Sequence, residues 1–299
     1  MYPDQPRPAL EGWVSRDTNL SRVWSGGPIL TEHSRSALRS GGTPPAPDPV
    51  TPDIEATLSE AIETHSLTKR YKDVTAVDGV DLCVRQGEVF GLLGPNGAGK
   101  TTTVRLLATV IAPTSGTAAI LGHDIIREPI AVRRCVGVLT TDVGVYDRFT
   151  ARENLTYYGR LYGLDDTVIK RRVGDLSRML EMDDFIDRRA GKLSTGMKQK
   201  VAIARSIIHD PDVLILDEPT SGLDVLASQT VVRFIKEVKE KGKTVILSTH
   251  IMPIAEKLCD RVAIIHRGKL VAQEGVGDLL ARTRAGDLED AFLALVGAA

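Results

Sequence analysis

Between an apolar run, Val89-Phe90-Gly91-Leu92-Leu93, and a helix-forming stretch, Thr101 to Leu107, stand Gly94, Pro95, Asn96, Gly97, Ala98, Gly99, Lys100 and Thr101. This G-x-x-x-x-G-K-[ST] spacing, after a strand and before a helix, is a loop that wraps phosphate. Its glycines let successive backbone N–H groups point inward, and the helix N-terminus adds about half a positive charge. Lys100 is placed to reach the β- and γ-phosphates of a nucleoside triphosphate, and the Thr101 hydroxyl to ligate Mg²⁺.

The rest of the chain suits the sheet such a loop needs. Val136 to Leu139, Val213 to Leu216, Thr244 to Leu247 and Val262 to Ile265 are further near-continuous apolar runs. Runs of this kind are buried on both faces, as in a parallel sheet covered by helices. Thr75 to Val84, with Val77, Val80, Leu82 and Val84 alternating, is expected to be antiparallel strand material ahead of that core. The long, charged, amphipathic stretch from Thr150 to His209 is expected to be a helical insertion, with a helix over Lys198 to Ile208.

Residues 1–57 hold nine of the 15 prolines, an extension whose composition predicts disorder. Trp13 and Trp24 lie in it, either as a short docking motif or, as is more usual for such a composition, as part of a solvated tail. The balance of 38 basic and 39 acidic residues, a net charge of −1, gives no electrostatic footprint for nucleic acid. No run reaches the roughly 18 apolar residues of a membrane span, so the chain is not expected to cross a membrane unaided. Cys83, Cys135 and Cys259 are odd in number and form no CxxC pair, which fits a reducing cytosol rather than a disulfide or zinc framework.

Three further groups bear on chemistry. Val213-Leu214-Ile215-Leu216 runs into Asp217-Glu218, two acids at a strand's carboxyl end, where parallel α/β sheets place their ligands. Asp217 suits a Mg²⁺ site, and Glu218 suits a base that orients or deprotonates an attacking water. His250, after the strand Thr244 to Leu247, is able to donate a hydrogen bond to a γ-phosphate, although a lone histidine is more often structural. Leu193-Ser194-Thr195-Gly196-Met197 precedes a helix and reads as a second anion site; an ordinary N-cap accounts for Ser194 equally well.

In this order, the loop at Gly94, the segment at Ser194, Asp217-Glu218, Ser221-Gly222-Leu223-Asp224 and His250 resemble the nucleotide-binding subunits of ABC transporters, over roughly residues 60 to 270. The resemblance implies an α/β P-loop NTPase: a parallel sheet core with an antiparallel β subdomain and a helical insertion. It implies boundaries at 1–57, 58–283 with the helical subdomain about 142–205, and a C-terminal helix at 284–299. The cofactors it implies are ATP and Mg²⁺. Gly94 to Thr102 would hold the nucleotide, Tyr71 would stack on adenine unless it is a core tyrosine, Thr101 and Asp217 would ligate the metal, and Glu218 and His250 would act in hydrolysis. A head-to-tail homodimer, or a heterodimer with a second ATPase subunit, would bring Ser194, Thr195, Gly196 and Met197 onto the partner's ATP, with Asp224 coupling the two sites.

Leu139 to Leu155, Thr195-Gly196-Met197-Lys198-Gln199-Lys200 and Asp287 to Phe292 resemble the sodium-exporter and drug-exporter subunits in particular. That implies export through a separate integral membrane permease, docked around Tyr146 to Tyr162, with the chain peripheral on the inner face of the cell membrane. Tyr157, Tyr158 and Tyr162 either belong to that docking surface or form a helix core. Two positions depart from the pattern. Thr141 stands where most of the family has a glutamine that reaches the metal and the water, with Asp142 the neighbour able to substitute, and Met197 replaces a glutamine. The alternatives are a non-transport ATPase of the same family, acting on DNA or ribosomes, and a slowly hydrolysing regulatory cassette.

Overall fold

The computed structural model describes residues 59–140 and 144–297, all within one unit, Ile54–Ala299. The proline-rich extension with Trp13 and Trp24, the triplet Thr141-Asp142-Val143 and the last two residues lie outside the described part. The chain begins with β1 (Glu60–Tyr71), β2 (Val74–Val80) and β3 (Cys83–Arg85), followed by β4 (Val89–Leu93) and α1 (Lys100–Leu107). Next come β5 (Ser115–Ile120), β6 (His123–Asp124), α2 (Pro129–Cys135) and β7 (Val136–Leu139). A helical stretch follows, α3 (Ala151–Leu161), α4 (Asp166–Met179) and α5 (Thr195–Ser206). The last part alternates: β8 (Val213–Asp217), α6 (Val225–Glu240), β9 (Thr244–Thr249), α7 (Met252–Leu258), β10 (Arg261–His266), β11 (Lys269–Gly275), α8 (Val276–Thr283) and α9 (Leu288–Gly297).

The central sheet runs β11-β10-β4-β9-β8-β7, parallel from β10 to β7, with β11 antiparallel at the edge. All five expected apolar runs are strands of this sheet, and alternation along them divides the core in two. Val89, Leu93, Leu214, Leu216, Val245 and Leu247 face α3 to α9. Phe90, Leu92, Val213, Ile215 and Ile246 face α1, α2 and the second sheet. Each aliphatic side chain buried in this way stabilises the fold by about 1.5–3 kcal/mol.

The second sheet is antiparallel, ordered β2-β1-β5-β6 with β3 also on β1. The stretch Thr75 to Val84 is antiparallel strand material, in two strands broken after Val80; both pair with β1. In the helical stretch, α3 begins with a capping box: Thr150 Oγ1 accepts from the Glu153 amide at 3.1 Å, and Glu153 Oε2 accepts from the Thr150 amide at 2.7 Å. The helix expected from Lys198 starts earlier, at Thr195, because Ser194 Oγ accepts the Met197 amide at 3.2 Å and caps it.

Candidate nucleotide-binding and hydrolysis site

Three adjacent strands, β4, β9 and β8, end in register. Leu93 pairs with Thr249, and Asp217 with Ser248. Everything that follows these strands is thus gathered at one edge: the glycine loop after β4, His250 after β9, and Asp217-Glu218 at the end of β8. Side chains more than 100 residues apart in sequence meet here because parallel strands all point their carboxyl ends the same way.

The loop is rigid at its back and open at its front. A Cβ on Gly94 would lie 2.2 Å from the Ile265 carbonyl oxygen, and one on Gly99 2.4 Å from that of Ala76, so only glycine lets the loop settle against β10 and β2. The Gly268 amide donates to the Ala98 carbonyl at 2.8 Å and secures the same face. Pro95, Asn96 and Gly97 are exposed, and Thr101 and Thr102 continue onto the first turn of α1, partly exposed. Lys100 is only 5% exposed and curls back, donating to the carbonyls of Gly94 at 2.7 Å and Pro95 at 3.2 Å. Burial lowers its pKa, opposed by the nearby charges of Glu218 and Asp217.

The two acids differ. Asp217, 1% exposed, accepts from Ser248 Oγ through Oδ1 at 2.7 Å, while its buried Oδ2 has no partner among the described residues. A buried carboxylate oxygen with no donor is costly unless a cation or water meets it. Glu218 sits at φ 52°, a left-handed conformation that a non-glycine residue adopts at a cost of ~1–3 kcal/mol. Its amide is anchored on the Ser248 carbonyl at 2.8 Å. Its Oε1 lies 2.9 Å from His250 Nδ1 and 3.7 Å from Lys100 Nζ, and Thr249 Oγ1 donates to Oε2 at 3.4 Å. The carboxylate therefore bridges the loop lysine and the histidine.

Other candidates lie elsewhere. Tyr71 ends β1 and is 44% exposed, not a core tyrosine, with Lys69 Nζ 5.2 Å from its ring centroid. Ser194 and Thr195 are exposed and Gly196 and Met197 partly so, at the start of α5; this segment shares no hydrogen bond or ion pair with the glycine loop among the described residues. Asp224, exposed, caps α6 by accepting the Ala227 amide at 2.8 Å. The departure at Thr141, with Asp142, lies outside the described residues. Two features escaped the sequence reading. Ser248, which orients Asp217, follows from its strand position only once β8 and β9 are known to be neighbours. Gln199, buried in α5, donates to the Pro219 carbonyl at 3.0 Å; no local pattern signals it.

Tyr146, Phe149, Tyr157 and Tyr158 pack ring to ring, with centroids 5.5 to 6.3 Å apart, and Arg205 lies 4.8 Å above Tyr158. Tyr146, Tyr157 and Tyr162 remain exposed, while Tyr158 packs on the core. Beside them opens a cleft of about 510 Å³, lined by Val110, Arg133, Leu161, Tyr162 and Arg205 among others.

A glycine loop holding a buried lysine, with a cation-seeking aspartate and a glutamate–histidine pair at the same sheet edge, defines a nucleoside-triphosphate-hydrolysing cassette. The family model described as ABC transporter matches residues 77–221. The ABC transporter ATP-binding protein NatA of Bacillus subtilis (strain 168) is 44% identical over 231 residues, covering 76% of this chain and 94% of that protein. The Nod factor export ATP-binding protein I of Paraburkholderia xenovorans (strain LB400) is 40% identical over 232 residues, 78% of this chain and 76% of that protein. A solved ATP-binding cassette, dimeric and in a post-hydrolysis state bound to ADP and Pi, superposes with a TM-score of 0.67 at 25% identity, covering 72% of this chain and 98% of that one. The chain belongs to the ABC transporter family, as an ATP-binding subunit of the exporter type, and it hydrolyses ATP. Among the described residues no helix is long and apolar enough to cross a membrane.

Proposed function

We propose that this cassette works as one half of a dimer, with a second copy or a second ATPase subunit, and drives export through a separate integral membrane permease that holds it at the cytoplasmic face. Nucleic acid has no part in this reading. Tyr71 stacks on adenine, the loop from Gly94 to Thr102 wraps the phosphates, and the partner's nucleotide is met by Ser194, Thr195, Gly196 and Met197, with Asp224 coupling the two sites. The observation that carries the proposal is the meeting of Lys100, Asp217, Glu218 and His250 at the ends of three neighbouring strands, Lys100 Nζ lying 3.7 Å from Glu218.

Asp217 Oδ2, which meets no partner among the described residues, and the Thr101 hydroxyl are hard oxygen donors that would hold Mg²⁺. When bound, it neutralises charge on the β- and γ-phosphates. Lys100 then turns from the Gly94 and Pro95 carbonyls to phosphate oxygens, and this releases Glu218 from its lysine contact. Glu218 orients the attacking water and accepts its proton. His250 holds Glu218 through Nδ1 and leaves its other ring nitrogen for the γ-phosphate. Little covalent chemistry is asked of the protein, since positioning and charge do most of the work in phosphoryl transfer.

Phosphate release tests this directly. The wild-type chain with Mg·ATP is expected to turn over, and Glu218→Gln to be slower by roughly 100-fold or more while still binding ATP. Equal rates in the two proteins would remove Glu218 from the reaction.

A further inference from the structure

α5 starts at the segment proposed to touch the partner's ATP, and one turn later it carries Gln199. That side chain is buried, and its Nε2 donates at 3.0 Å to the carbonyl of Pro219, the residue directly after Glu218. Pro219 is itself buried. It has no N–H of its own, so its carbonyl is the one backbone polar group by which this residue can be held. The turn it occupies is constrained on both sides. Glu218 is in a left-handed conformation with its amide on Ser248, and the Ser221 amide donates to the Glu218 carbonyl at 3.2 Å.

Gly196 gives α5 a second contact, onto α6. A Cβ there would stand 3.2 Å from that of Ala227, in the first turn of α6. The start of α5 therefore lies directly against the start of α6, the helix Asp224 caps. A small rotation of α5 acts on Pro219 through one hydrogen bond and on α6 through one close approach.

We infer that Gln199 is a positioning residue: it ties the helix that reads the partner's nucleotide to the backbone turn that aims Glu218 at this subunit's own. Occupancy of one site is thereby transmitted to the glutamate of the other along α5. The inference rests on the dimer reading above. Gln199 touches no nucleotide in this scheme, so its loss alters turnover and not affinity.

The test uses the full chain with Gln199→Met, which preserves length and packing but has no donor. Expected are a kcat at least tenfold lower, a Kd for Mg·ATP within twofold of wild type, a single cooperative unfolding transition as in wild type, and a Hill coefficient for ATP moving towards 1. An unchanged kcat and Hill coefficient overturns the inference, and so does a fall in kcat matched by an equal loss of ATP affinity. If Gln199→Met does not fold, Gln199→Glu, which is isosteric and turns an acceptor towards the Pro219 carbonyl, is read by the same criteria. A wild-type chain that released no phosphate would instead remove the underlying function; cooperative wild-type hydrolysis with an indifferent Gln199→Met removes this inference alone.

Discussion

Lys100 and Glu218 each sit where an isolated charge is costly, and each reduces the cost for the other. His209 solves a similar problem in a different way. Its ring is stacked on Tyr162, 3.7 Å between centroids and 3° between planes, and Nε2 lies 3.2 Å from the Val136 carbonyl, to which the neutral ring donates. Nδ1 is buried without a partner among the described residues, and burial pushes the pKa down from its ordinary 6.5 to about 4, with the positive charge of Arg172 acting in the same direction. The unfolded chain takes up this proton at higher pH than the folded one, so the neutral ring's contribution is complete above about 6.5 and is lost as pH falls towards 4. The full effect is ~3 kcal/mol at 1.36 kcal/mol per pH unit. Urea midpoints measured from pH 7 to 4 are expected to fall less steeply for His209→Gln than for wild type; parallel curves would show that His209 does not titrate in this window.

Elements differed in how plainly the sequence announced them. The five parallel strands were legible because both of their faces are buried, leaving nothing polar to interrupt Val213 to Leu216 or Val89 to Leu93. β1 was not, since in Glu60-Ala61-Ile62-Glu63-Thr64-His65-Ser66 the polar Thr64 is buried beside Ala61 and Ile62 while Glu60, His65 and Ser66 are exposed, which leaves no apolar run to read. β11 was missed for a related reason, as an edge strand whose side chains are mostly half-buried. In the site, loop, acids and histidine were readable from strand-end position, whereas the Gln199–Pro219 bond joins residues 20 apart and has no local pattern. The helical stretch carries its own prediction. Leu161, on α3, is 62% exposed and lines the cleft beside the aromatic cluster. If the permease docks there, Leu161→Asp lowers co-purification of the membrane subunit at least fivefold while the isolated chain keeps its ATPase rate; undiminished co-purification would move the docking surface elsewhere.

For the molecule as a whole, the proposed sandwich makes assembly depend on nucleotide. Glu218→Gln, binding ATP without cleaving it, is expected to double in mass on saturation with Mg·ATP and to revert when ATP is withdrawn; a chain that stays monomeric under these conditions speaks against shared sites. The strand order carries a further consequence, for synthesis. β9 lies between β4 and β8, yet it is made after both. As the polypeptide leaves the ribosome, the glycine loop and the twin acids emerge with a gap between their strands, and their inward edges cannot pair until residue 249 has appeared. The active edge is closed late, by the strand that brings the histidine, so a nascent chain stopped at the Asp224 cap would carry most of the conspicuous motifs and still lack the hydrogen bonds that hold them together.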